Sequence, residues 1–158
     1  MILYPGGVLE AKRAGFWKGD YELSADGRPL TRWDARTWRG GGSFELDGRR
    51  YEVRAVRFGS RYELVDQTGM PLAVANRVGR KRWNVEAEGR TYTFERASFW
   101  RNEERLVVDG HEAGTIRRLG AFRSDAVADL PGLPLPLQVF VFTVVLSAWD
   151  AAAAAAAS

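Results

Sequence analysis

A chain of 158 residues, 46% hydrophobic and 27% charged, has the size and composition of one folded domain, which excludes disorder as its main state and argues against a second core. With no cysteine and one histidine, disulfides, thiolate metal sites, thiol nucleophiles and multi-histidine metal centres are excluded. Net charge is only +3 and just Lys12, Lys18 and Lys81 are lysines among 23 basic residues, a balance that hints only weakly at anionic lipid or nucleic acid; no nucleic-acid partner is expected.

The first residues, Met-Ile-Leu-Tyr-Pro-Gly-Gly, lead into a charged segment without the basic stretch and apolar run of a secretory signal, so a cytoplasmic location is expected. Val8 to Lys12 reads as a first strand. Turn dipeptides then recur at Asp26-Gly27, Asp47-Gly48, Thr68-Gly69, Glu88-Gly89 and Asp109-Gly110, with glycines 21, 21, 20 and 21 residues apart. A glycine after an acidic or small polar residue accepts the positive φ of a tight hairpin turn, so each unit is two strands and a turn. Tyr51, Val53 and Ala55, then Trp83, Val85 and Ala87, alternate with polar residues in the period of a sheet with one face inward. The apolar phase slips at Ala55-Val56, within Tyr51 to Phe58, which suggests a bulge or bend. Gly40-Gly41-Gly42, in a loop from Ala35 to Ser43, reads as a flexible connection, because no Lys-Ser/Thr follows to make a phosphate cradle.

Five hairpins give ten strands, and Val8 to Lys12 with the stretch after Arg118 bring the total to about twelve. So many sequential antiparallel strands twist, and closing them removes exposed edges; a barrel is expected, with a two-sheet sandwich as the competitor.

From Leu130 to Trp149 there is no charge. Pro131, Pro134 and Pro136 break the first part, so a helix is expected from about Pro136, where proline is tolerated in the first turn. Residues 136 to 149 would span about 21 Å against about 30 Å of hydrocarbon, and a longer helix would carry Asp150 into the bilayer, so integral insertion is not expected. Leu137, Phe140, Val141, Phe142, Val144, Val145, Leu146 and Trp149 surround such a helix on all sides. A helix without a polar face needs apolar surroundings, and a closed barrel supplies them. The expected fold is therefore mainly β: a closed antiparallel barrel of about 12 strands built from hairpins and wrapped around a hydrophobic C-terminal helix. Residues 1–150 form one domain, with the central helix at 136–150. Residues 151–158 form an Ala-rich tail, read as a frayed helix end or a disordered segment.

Three segments carry a family resemblance: RYELVDQTGMPLAVANRV (61 to 78), ERLVVDGHEAGTIRR (104 to 118) and DLPGLPLPLQVFVFTVVLSAWD (129 to 150). Their pattern of strand, Asp and Gly turn, strand ending in basic residues, and final hydrophobic helix resembles the tubby-like barrel superfamily, especially its small LURP-one-related members and more distantly the phospholipid scramblases. The resemblance covers the chain from about Tyr21 and implies a barrel of about twelve strands around a C-terminal helix. Tubby proteins bind phosphoinositides and scramblases are associated with lipid movement, but no tubby lipid-binding motif and no Cys-rich or calcium-binding scramblase segment is matched, so the resemblance carries neither activity over.

Searched for chemistry, the chain yields no catalytic or metal residues and implies no cofactor. His111, just after a turn, reads as solvated, and Glu86-Glu88 and Glu103-Glu104 read as solvated carboxylate pairs. The densest basic cluster, Arg77, Arg80, Lys81 and Arg82, lies in a loop followed by Trp83 and is the candidate site for anionic headgroups. Trp83 itself, in phase with Val85, reads as a core residue. Arg49-Arg50 and Arg117-Arg118 are thinner clusters, and Phe99-Trp100-Arg101 is a candidate exposed aromatic. The expectation is a non-catalytic binding or scaffold module, for an anionic phospholipid surface or a protein partner, cytoplasmic or peripheral to the membrane. The alternatives are a hydrolase with a site assembled from distant loops, and a barrel anchored in the membrane by its C-terminal helix.

Overall fold

The computed structural model describes residues 7–15, 19–36, 40–56, 59–97, 102–119 and 125–157. Twelve strands follow one another: β1 (Leu9–Arg13), β2 (Tyr21–Ala25), β3 (Arg28–Ala35), β4 (Gly42–Leu46), β5 (Arg49–Val56), β6 (Arg61–Asp66), β7 (Pro71–Asn76), β8 (Arg82–Ala87), β9 (Arg90–Arg96), β10 (Glu103–Val108), β11 (His111–Arg118) and β12 (Ala126–Asp129); the chain ends in helix α1 (Leu135–Ala157). Each strand pairs antiparallel with its neighbours, and β1 pairs with β12, so the sheet closes into a barrel without an edge.

Four of the five hairpins turn on two residues that both have positive φ, as at Asp26 (50°) and Gly27 (78°), which matches the right-handed twist of the strands. The fifth is longer: Asp66 Oδ1 accepts bonds from the Thr68 amide (2.9 Å), the Thr68 hydroxyl (2.6 Å) and the Met70 amide (3.0 Å), so Gln67 to Met70 form a loop where a two-residue Thr68-Gly69 turn was expected. The five hairpins lie at one end of the barrel. The longer connection from β7 to β8, residues 77–81, lies at the other.

The expected bulge at Ala55-Val56 is absent, since Ala55 and Val56 pair in straight register with Tyr62 and Arg61. Both are half-buried at the long-loop end of the barrel, where inside and outside cease to differ sharply. Register shifts occur instead in alternate hairpins, on β3, β7 and β11, each placing one extra residue (Leu30, Leu72, Ala113) after the turn. All three extra side chains pack against the core.

Gly40-Gly41-Gly42 is a close-packed corner, contrary to the flexible connection expected. Gly41 has φ +73°, and a Cβ there would lie 2.1 Å from the Val53 carbonyl oxygen; one on Gly42 would lie 2.2 Å from that of Asp34. Two strands approach here more closely than any side chain allows.

Helix α1 fills the barrel. The chain leaves β12, turns through Leu130-Pro131-Gly132-Leu133 with Gly132 at φ 89°, and starts the helix at Leu135 with Pro136 in its first turn. Leu137 to Leu146 are all buried, including Gln138 and Thr143. Thr143 Oγ1 donates back to Phe140 O (2.9 Å) and Gln138 Nε2 donates to Leu133 O (2.7 Å), while Gln138 Oε1 has no hydrogen-bond partner among the described residues. The helix comes nearest to β7, whose inward Ala73 and Ala75 leave room, while Trp33, Phe44, Trp83 and Phe94 fill the wider space elsewhere. The alanine run continues the helix through Ala157, with Ala151 to Ala157 exposed beyond the barrel. At 23 residues α1 is long and apolar enough to cross a membrane, yet its apolar middle is already enclosed by protein.

Candidate functional site

The register set by the Glu88-Gly89 turn pairs Arg82 of β8 with Glu95 of β9, and Glu95 in turn lies opposite Arg105 of β10. These outward-facing residues form a row of opposite charges: Arg82 donates to Glu95 Oε1 from Nη2 (2.9 Å) and Nε (3.2 Å), and Arg105 Nη2 reaches Oε2 (3.4 Å). The connection from β7 to β8 folds over one end of this row. Arg77 takes a left-handed conformation (φ 62°), its carbonyl accepts the Arg80 amide (3.1 Å), and buried Val78 anchors the turn through its amide bond to Ser60 O (2.9 Å). The result is an open groove lined by Arg77, Lys81, Arg82, Glu95, Arg96 and Arg105. Five cations surround one carboxylate. Among the described residues neither Arg77 nor Lys81 is ion-paired, and both are exposed.

Of the four basic residues expected to act together, Arg77, Lys81 and Arg82 line the groove and exposed Arg80 does not. Arg96 and Arg105 were not anticipated. The Arg82 and Glu95 pairing was readable from the turn position, whereas Arg105 enters only through the contact of β9 with β10. Of the thinner clusters, Arg50 lies near Glu45 in a groove of mixed charge, and Arg118 pairs with Asp150 (3.8 Å). Phe99, Trp100 and Arg101 lie outside the described residues.

A second feature lies around the corner, where α1 leaves the long-loop end. On one side the helix is locked by Asp150. Arg13 Nη2 donates to Asp150 Oδ1 (2.8 Å) and to the Tyr21 hydroxyl (2.8 Å), and that hydroxyl lies 3.1 Å from Asp150 Oδ2. Burial, followed by the Asp150 charge, raises the Tyr21 pKa above its ordinary value. Arg118 lies 5.1 Å over the Trp149 ring. On the other side the helix stands away from β8 to β10 and leaves a cleft of about 320 Å³, lined by Val78, Gly79, Trp83, Arg96, Asn102, Glu103, Glu104, Val145, Ala148, Trp149 and Ala152.

Glu104 corrects the reading of Glu103-Glu104 as a solvated pair. It is 7% exposed and points inward in phase with Leu106, and its Oε1 accepts Trp83 Nε1–H at 3.1 Å. Burial pushes its carboxyl up to about 7, against the opposing pull of the indole and of Arg96. Trp83 is a core residue as expected, stacked on Phe94 at 4.5 Å, and His111 is exposed as expected. Among the described residues there is no group of three or more His, Cys, Asp or Glu that could hold a metal ion.

No family model and no curated protein matches the chain. Among solved structures, the chain is similar to a protein from Arabidopsis thaliana at 14% identity and a TM-score of 0.43, over 94% of each chain.

Proposed function

We propose that the protein is a non-catalytic binding module that holds anionic phosphate headgroups of a lipid surface in the groove along β8 to β10, working in the cytoplasm or at the periphery of a membrane. The observation that carries this reading is five basic side chains around a single carboxylate, with Arg77 and Lys81 unpaired among the described residues. Guanidinium forks match phosphate oxygens in pairs, and each basic residue near an anionic surface contributes about 1 kcal/mol. The enclosed apolar middle of α1 supports peripheral attachment over insertion, because leaving the barrel would expose both the helix and the lumen to new surroundings. We further propose kinship with the tubby-like barrels, on the segments that carry the resemblance and on the barrel wrapped around a C-terminal helix.

Flotation with phosphatidylcholine vesicles, with and without phosphatidylserine, tests the function. The protein is expected to float only with the anionic vesicles and to be released as salt shrinks the screening length from about 10 Å toward 3 Å. Arg77→Glu with Lys81→Glu is expected to weaken flotation more than tenfold, while Arg80→Glu, outside the groove, leaves most of it. Equal losses from both variants would assign binding to general charge, and no flotation at all would end the lipid reading and favour a protein partner. Competition by inorganic phosphate without any vesicle binding would identify a soluble phosphate ligand instead.

A further inference from the structure

The cleft at the barrel mouth has a chemistry opposite to that of the basic groove. Its apolar walls come from Val78, Val145, Ala148 and Ala152, and the indoles of Trp83 and Trp149 face the same space. Among its polar groups are two adjacent carboxylates, Glu103 and Glu104. Glu104 is more than nine-tenths buried, and only one of its oxygens is engaged; Oε2 has no hydrogen-bond partner among the described residues. Arg96, the cation that lines the cleft, does not fill that place, since its Nη2 donates to Gly79 O at 2.9 Å. A buried acceptor without a donor costs free energy that a bound donor recovers, and a cationic donor recovers more than a neutral one.

The volume of about 320 Å³ falls at the small end of ligand pockets, and an apolar lining with a few convergent polar groups is their usual make-up. We propose that this cleft binds a small organic amine, with its ammonium on Glu104 Oε2 and a compact apolar or aromatic body between Trp83, Trp149 and the Val145 to Ala152 face of α1. The carboxylate selects for positive charge, the indoles add cation–π attraction, and the walls limit the size of the body. Burial raises the pKa of the carboxyl to about 7, so an arriving cation meets an acid that ionises readily at neutral pH and stabilises the charged form. This site shares only Arg96 with the lipid-binding groove, and the variants that test each leave Arg96 in place, so either can fail without the other.

The test uses the full chain and three probes of one shape: 2-phenylethylamine, 2-phenylethanol and phenylacetate. Binding is followed at pH 7.5 by chemical-shift changes of the Trp83 and Trp149 indole N–H signals. The amine is expected to bind at least tenfold more tightly than the alcohol, with phenylacetate weakest, and to move both indole signals. Glu104→Gln keeps an acceptor for Trp83 and is expected to bring the amine down to the level of the alcohol. Ala148→Phe, which fills the cleft and keeps the carboxylate, is expected to abolish binding of both and serves if the Gln variant misfolds. No amine binding, an amine affinity unchanged by both variants, or phenylacetate binding as tightly as the amine would each overturn the proposal.

Discussion

Glu104 is a glutamate where the alternation of β10 places an inward side chain, and its neighbour Leu106 shows what that face ordinarily holds. Its carboxyl is held near 7 in the folded protein against an ordinary value of 4.5, so between those values the folded state binds more protons than the unfolded one. Stability then falls as pH rises through that window: the contribution is fully present below about 4.5 and is lost above about 7. Urea midpoints measured from pH 4.5 to pH 8 are expected to decline more steeply for the wild type than for Glu104→Gln, with the variant ahead at pH 8 by on the order of 1 to 3 kcal/mol. Parallel curves for the two proteins would mean that Glu104 ionises freely in the folded state. The sequence signal was present in the spacing of Glu104 from Leu106, but the adjacent Glu103 made the pair read as a solvated face.

At the scale of elements, short-range chemistry was the most legible. Asp-Gly and Glu-Gly pairs specify turns with positive φ at both residues, and the turn position alone then sets the register of each hairpin. The slip at Ala55-Val56 misled because a strand loses its two-faced pattern near a barrel end, while the actual extra residues, Leu30, Leu72 and Ala113, follow turns and lie amid apolar positions that hide them. The glycine triplet shows the same limit, since its need for glycine comes from Val53 and Asp34 on neighbouring strands. Gly41→Ala combines a clash with the Val53 carbonyl and a strained φ, so it is expected to cost at least about 2 to 3 kcal/mol. Gly48→Ala has a similar φ (+76°) but open space around it, and is expected to cost about 1 kcal/mol. Thermal melts of the two variants check the difference; equal losses would show that the corner relaxes. At the helix end, Asp150→Asn weakens the bonds to Arg13 and removes the charge facing Arg118, and a loss of about 1 to 2 kcal/mol in urea is expected. An unchanged midpoint would mean that the lock adds nothing.

For the whole molecule, the barrel and the helix are each incomplete alone: a closed sheet with large inward side chains has an empty lumen without α1, and α1 has no polar face to show to water. Deleting the chain from Leu135 onward is therefore expected to leave a protein without dispersed amide signals, while deleting residues 151–158 is expected to change stability by less than about 0.5 kcal/mol, because Ala151 to Ala157 are exposed beyond the rim. Phe140→Ala, in the fully enclosed part, is expected to cost about 3 to 5 kcal/mol. A folded barrel lacking α1 would refute the mutual dependence.

By itself the sequence determined the hairpin array, the closure it favours and the enclosure of an all-round apolar helix, because turn dihedrals, period-two alternation and the absence of a polar face are properties of neighbouring residues. The tertiary structure decided which charges meet and where the helix stands away from the wall. Arg105 joins Arg82 only through Glu95 between them, Arg80 does not line the groove, and Glu104 lines the cleft that α1 leaves beside β8 to β10. Those outcomes depend on contacts between residues far apart in the chain, and no local pattern encodes the distance at which a helix passes a strand.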